Sequence, residues 1–223
     1  MGSLTEENYI KSIYSLSLEA GEVSVSGLAR KLKVKLPTVN SMIKKLAAKK
    51  IVAYVPYKGI KVTEKGKREA LSIIRKHRLA ELFLVEVMGI GWEEVHDIAE
   101  QLEHVESDTF YNRINQMLGN PKVDPHGEPI PDIHGKVAAR KRLSLGEIAE
   151  GDSARITAVG NDEKSFLDHL NSKGLQIGDT ITVRKKEEFD GSIVIVTRAR
   201  KETMLSHQVA NRIWVEADPA GHG

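Results

Sequence analysis

Residues 26–62 read SGLARKLKVKLPTVNSMIKKLAAKKIVAYVPYKGIKV. Ser26 opens a helix whose apolar positions are Leu28, Ala29 and Leu32, and Val34-Lys35-Leu36 is a short connection. Pro37 suits a first helical position, where its missing N–H costs nothing. That helix runs on through Val39, Met42, Ile43, Leu46 and Ala47, apolar at spacings of three and four. Ile51 to Val55 then reads as a strand, Pro56-Tyr57-Lys58-Gly59 as a turn and Ile60 to Val62 as the returning strand. Helix, short turn, helix and β-hairpin is the order of a winged helix-turn-helix. In that geometry the second helix enters the DNA major groove with its N-terminal residues leading: Lys35, Pro37, Thr38, Asn40 and Ser41. Thr and Asn can hydrogen-bond base edges, and Pro can touch a thymine methyl. Lys44, Lys45, Lys49 and Lys50 follow where phosphates would run, and Lys58 sits at the tip of the wing.

Charge agrees with this placement. Residues 1–70 carry 14 Lys+Arg against 6 acids, although the whole chain has a net charge of only +2. A basic N-terminal third points to a polyanion; a lysine-rich solvated surface would carry the same charge, but the appended hairpin favours double-stranded DNA. Upstream, residues 5–19 read as a helix with Ile10, Ile13 and Tyr14 on one face, a capping box at Ser3 and Glu6, and a stop at Gly21. Downstream, a long helix runs from Thr63 to about Met88, and Trp92 to about Leu118 forms a further helical stretch divided near Ser107. Residues 119–135 hold four of the seven prolines and read as a linker or an ordered irregular loop. The stretches 154–159, 180–185 and 192–198 are β-rich, with one helix over 163–173 between them, which suggests a small barrel. The expected fold is multidomain α+β, with domains at 1–70, 71–140 and 143–217. Cysteine is absent, so disulfides and thiolate ligands are excluded. No apolar run approaches the ~20 residues of a membrane span. The N-terminus lacks the apolar core of a signal peptide, so a cytoplasmic location is expected.

The stretch from Glu81 to Asp108 holds nine acids and two histidines with no Lys or Arg. A divalent ion is the missing charge. With His96 at zero on a helical wheel, Glu100, Glu103 and His104 fall at about +40°, −20° and +80°, one face of a helix. His77 and Glu81 share a face of the preceding helix at a spacing of four. Burying these acids without a counterion is costly, and Mn2+, Fe2+ or Zn2+ would offset that. An acidic, solvated helix face with incidental histidines is the plain alternative.

The segments LPTVNSMIKKLAAKKIVAYVPYKGIKVTEKGK, RKHRLAELFLVEVMGIGWEEVHDIAEQLEHVESD and DPHGEPIP together resemble the diphtheria toxin repressor family of metal-dependent transcriptional regulators, in particular its manganese transport regulator branch. The resemblance covers residues 5–140, and the C-terminal segment is similar to the small Src-homology-type barrel also found in ferrous-iron transport accessory (FeoA) proteins. It implies an activating metal site at Asn8, Glu100, Glu103 and His104. It implies an ancillary site at His77, Glu81 and His96, completed by a carboxylate from the barrel, best matched by Asp162 and next by Glu163. In some manganese-type members the loop Pro125-His126-Gly127 joins this site, which brings in His126 and, beside it, Asp124 as a further candidate. Some iron-type members have cysteine at the position of Glu100, and a carboxylate there hardens the site toward Mn2+. Many manganese-type members have Asp where this chain has Asn8, and some have Glu where it has Lys11.

The reading is therefore a homodimeric repressor of metal-uptake genes, without catalytic activity. Mn2+ is the first choice of metal, Fe2+ the next, with Zn2+ or Co2+ able to substitute in vitro. Its partners would be a pseudo-palindromic operator and a second copy of the chain, joined through the apolar region of Val85, Val87, Ile90, Trp92 and Val95. No membrane or small organic substrate is expected. Two alternatives stand: a metal hydrolase using the same ligands, although HExxH is absent, and a winged-helix regulator that senses no metal.

Overall fold

The computed structural model describes residues 3–217 apart from 56–57, 140–142, 161–162, 199 and 201. The chain divides into two compact units, one of residues 1–80, 100–114 and 130–137, the other of 81–99, 115–129 and 138–223.

In the first unit, α1 (Leu4–Ala20) starts at a full capping box: Ser3 Oγ accepts from the Glu6 N–H, and the Glu6 carboxylate accepts from the Ser3 N–H. Gly21, at φ 72°, ends it. The second helix, α2 (Val25–Lys31), begins before the expected Ser26, because Ser24 is the cap and accepts from the Gly27 N–H at 3.0 Å. Val23, just before it, pairs with Ile60 in an isolated antiparallel β-bridge. α3 (Leu36–Ala48) follows, with Leu36 ahead of Pro37 in its first turn. The wing consists of β1 (Val52–Tyr54) and β2 (Ile60–Val62), antiparallel with Val52 opposite Val62. Pro56 and Tyr57 of the expected turn lie outside the described residues.

α4 (Glu64–Glu86) starts where Thr63 Oγ1 donates to the Ile51 carbonyl and accepts from the Gly66 N–H. A Cβ on Gly66 would come within 2.1 Å of that carbonyl, so the first turn of α4 needs glycine to seat against the wing. The core of the unit interleaves Ile13 of α1, Leu28 of α2, Val39, Ile43 and Leu46 of α3, and Ile60 of β2, all at most 1% exposed. Each side chain buried this way contributes about 1.5–3 kcal/mol. The helical stretch after Trp92 is broken, as expected near Ser107, into α5 (Val95–Leu102) and α6 (Asp108–Met117).

In the second unit a six-stranded antiparallel sheet has the order β3-β8-β4-β5-β6-β7. Its strands are β3 (Leu143–Ser144), β4 (Ser153–Val159), β5 (Thr180–Lys186), β6 (Ile193–Thr197), β7 (Glu202–Leu205) and β8 (Ile213–Ala217). α7 (Lys164–Lys173) follows β4, and α8 (His207–Ala210) precedes β8. Sequence reading finds β4, β5, β6 and α7, whose strands are marked by the turns Gly151-Asp152, Gly178-Asp179 and Asp190-Gly191; β3, β7 and β8 adjoin no such pair, and α8 is a single turn. Alternation nevertheless fills one core, with Ile156, Leu167, Val183, Ile195, Leu205 and Val215 buried. Trp92 packs against this core, and Val95 is fully buried. Val95 is thus used within the protomer, whereas Trp92 is only partly buried and Val87 is 49% exposed.

Candidate metal centre and nucleic-acid face

α3 turns Val39, Ile43 and Leu46 inward, which leaves Lys35, Pro37, Thr38, Ser41 and Lys44 exposed and Asn40 half-buried. Leu36, which sequence reading treated as connection, is 50% exposed beside Pro37 and Thr38. Lys58 is exposed on the wing. Two lysines of the helix are differently engaged: Lys45 and Lys49 each lie 2.7 Å from the buried Glu6 carboxylate of α1. Hydrogen bonds from these two ammonium groups hold the Glu6 carboxyl down at about 2.

The opposite edge of α1 carries a second set of polar groups. Glu7 and Lys11 meet the segment Glu100 to His104, all within the first unit. His104 Nδ1 lies 2.6 Å from Glu7 Oε2, and its Nε2 lies 3.8 Å from Glu103 Oε1. Glu103 is fully buried; His77 Nδ1 of α4 lies 2.6 Å from its Oε2. The Lys11 ammonium contacts Glu100 and lies 2.8 Å from both Glu103 oxygens. His77, Glu100 and Glu103 each bring one ligand atom within 4.8 Å of the others. Burial, and then the charges of Glu103 and Glu7, push the Tyr111 phenol beside them upward.

His96, Glu100, Glu103 and His104 do not share the one helix face expected of them. α5 ends at Leu102, so Glu103 and His104 lie on the turn beyond it and wheel angles no longer apply to them. Glu100, Glu103 and His104 come together because the chain turns, and His96 belongs to the second unit.

In that second unit Glu81 is the hub. Its Oε1 lies 3.5 Å from His96 Nδ1, and its Oε2 lies 3.8 Å from His126 Nδ1. Glu81, Asp124 and His126 are all buried and offer ligand atoms within 4.8 Å of one another. Asp124 Oδ1 accepts the backbone N–H groups of His126 and Glu128, which winds the loop into a tight turn. The loop is pinned to β4, where the Val159 N–H donates to the His126 carbonyl. Gly127 has φ +82°, and a Cβ there would lie 2.1 Å from the Thr157 carbonyl oxygen. His126 stacks on Trp92 at 5.7 Å. Burial works against its charged form, but the Glu81 and Asp124 carboxylates push its pKa up to about 9. Glu163 and His96 line the same cavity of about 450 Å³ in this unit, with Glu93, Glu94, Asp97 and Lys164. Asp162 lies outside the described residues. Sequence reading gave no position to Glu7; its role in pairing His104 could have been found only by knowing that α1 lies against residues 100–104.

The first cluster suits a divalent cation. Between Glu7 and Lys11 on α1, Asn8 Oδ1 is buried with no hydrogen-bond partner, and carboxylate oxygens and an imidazole converge on those two neighbours. Amide oxygen, carboxylate and imidazole are a hard-to-borderline donor set.

A basic winged helix-turn-helix whose first helix also meets a carboxylate–imidazole cluster defines a DNA-binding protein of the metal-responsive class. Three family descriptions match in sequence: the N-terminal DNA binding domain of iron dependent repressors over residues 3–60, their metal binding and dimerisation domain over 63–132, and the FeoA domain over 143–217. The chain belongs to the iron-dependent, or diphtheria toxin, repressor family of metal-dependent DNA-binding transcriptional repressors. It is 29% identical to the iron-dependent repressor IdeR of Mycobacterium leprae over 95% of this chain and 96% of that one. A solved manganese-dependent transcriptional repressor in complex with manganese is 32% identical, covers 96% of this chain and 100% of its own, and superposes with a TM-score of 0.85. The structure of ScaR with bound Cd2+ is 33% identical, with coverages of 95% and 98% and a TM-score of 0.79.

Proposed function

We propose that this protein is a cytoplasmic, homodimeric repressor of metal-uptake genes that recognises a pseudo-palindromic operator when Mn2+, or next Fe2+, is bound, and that it catalyses no reaction. One observation supports the reading: α1 belongs to the core of the winged domain and also touches the cluster of Glu100, Glu103 and His104. Tyr9, Ile10, Ile13 and Tyr14 fix it in the winged-domain core, while Glu7 reaches His104 and Lys11 reaches Glu100 and Glu103. The proposed activating ligands are Asn8, Glu100, Glu103 and His104. The proposed ancillary ligands are Glu81, His96 and His126, with His77 one turn before Glu81 on α4, Asp124, and Asp162 from the C-terminal domain. The functional division proposed is 1–70 for DNA, 71–140 for metal and dimerisation, and 143–217 for the FeoA-type domain.

When bound, a divalent ion supplies the charge that lets these carboxylates and the Asn8 amide share one shell. The rest is the work of the chain itself. Glu103 and His104 hold the first turns of α1 against the helical region, and α1 in turn holds α3 through the Glu6 pairs and the shared core. Hard oxygens at Asn8, Glu100 and Glu103, with no thiolate, favour Mn2+. The test is operator binding at fixed salt with Mn2+, Fe2+, Co2+ or Zn2+, for the parent and for Glu103→Ala and His104→Ala. Metal-dependent binding lost in both variants is expected. Equal binding with and without metal would overturn the reading.

A further inference from the structure

The first cluster already contains a cation, supplied by the chain. Lys11 lies one helical turn after Asn8. Its ammonium contacts Glu100 Oε1 and lies 2.8 Å from both Oε1 and Oε2 of Glu103. The Glu103 side chain is 0% exposed, and that of Lys11 is 19% exposed. A carboxylate so buried is costly without compensation, and Lys11 with His77 supplies it. The same contacts hold α1 to the residues just beyond α5 when no other cation is bound. They also engage both oxygens that Glu103 could offer to a metal ion. Lys11 can withdraw: it is partly exposed, and its long aliphatic stem has many rotamers.

We propose that Lys11 is a tethered cation that closes the activating site of the metal-free protein and sets the metal concentration at which the protein switches. The ammonium stands between Glu100 and Glu103, and it must leave Glu103 before that carboxylate can face a divalent ion. Lys11 thus raises the threshold for metal and, in the same contact, stabilises the metal-free fold. This rests on Glu100, Glu103 and His104 being the metal ligands.

The experiment is Mn2+ affinity by competition with a fluorescent chelator, at fixed salt and pH, together with thermal melting of the metal-free protein. Lys11→Met keeps the stem and removes the charge, whereas Lys11→Arg keeps a charge. Lys11→Met is expected to bind Mn2+ about tenfold more tightly than the parent and to melt at a lower temperature without metal; Lys11→Arg should show no tightening. Equal or weaker Mn2+ binding by Lys11→Met, or an unchanged metal-free melting temperature, overturns the proposal. Failure of the parent to bind Mn2+ at all would sink the ligand assignment as well, whereas equal binding by parent and variant sinks the role of Lys11 alone. A measurement on the parent protein keeps the test independent of how the variants fold. Amine labelling followed by mass spectrometry should find Lys11 more reactive once Mn2+ is added, and unchanged or reduced labelling counts against the proposal.

Discussion

Asn8 stands on α1 between Glu7 and Lys11, which touch the carboxylate–imidazole cluster, and its carbonyl oxygen is buried without a partner. An amide offers one oxygen and no charge, so Asn8 is the weak member of the proposed shell. Asn8→Asp is therefore expected to tighten Mn2+ binding by about tenfold, equivalent to ~1.4 kcal/mol. The same change places a further acid beside Glu7, Glu100 and Glu103, so the metal-free variant should melt at a lower temperature. Calorimetric titration and thermal melting check both halves, and a variant that binds Mn2+ no better than the parent contradicts the ligand role of Asn8. At this scale the sequence was half legible. Glu100, Glu103 and His104 stand out because no Lys or Arg lies between Glu81 and Asp108. Glu7 and Lys11 do not stand out, because nothing in their local pattern says that they face residues 97 and 89 positions further along. Asn8 entered through family resemblance alone.

Helices and hairpin of the winged domain were readable from periodicity and capping, since Ser3, Gly21 and the alternation of apolar residues in α3 act locally. The link between elements was not, because Glu6 reaches Lys45 and Lys49 across the fold. This link ties the first turn of α1 to the C-terminal end of α3, and it has a pH signature. The Glu6 carboxyl lies at about 2 in the folded protein against an ordinary 4.5. A depressed folded value means that the contribution is complete above about 4.5 and is lost as pH falls from there toward 2. Glu6→Gln should accordingly lower the urea midpoint at pH 7, with the gap from the parent closing as pH approaches 2. A gap that is constant across that range would show that packing, and not charge, is what Glu6 contributes. The second unit shows the opposite kind of limit: β3, β7 and β8 are recognisable only after their partners are in place, because no Gly-Asp or Asp-Gly turn adjoins them as one adjoins β4, β5 and β6.

For the whole molecule the decisive quantity is the coupling between metal and operator. If one helix is shared by the metal cluster and the DNA-binding core, each ligand biases the same structural equilibrium. Thermodynamic reciprocity then fixes the outcome: whatever factor metal adds to operator affinity, operator must add to metal affinity. Couplings of this kind are typically about 1–3 kcal/mol, or roughly 5- to 150-fold. Operator affinity should be measured by fluorescence anisotropy with and without saturating Mn2+, and Mn2+ affinity by chelator competition with and without saturating operator, all at one ionic strength, because counterion release makes DNA affinity strongly salt-dependent. The two ratios should agree within error. Glu103→Ala should bring both toward one together, whereas Lys44→Ala, on the exposed face of α3, should weaken operator binding in both metal states and leave the ratio intact. A metal affinity that is the same with and without operator would mean that the cluster on α1 is a structural cation site and that the DNA-binding face does not depend on it.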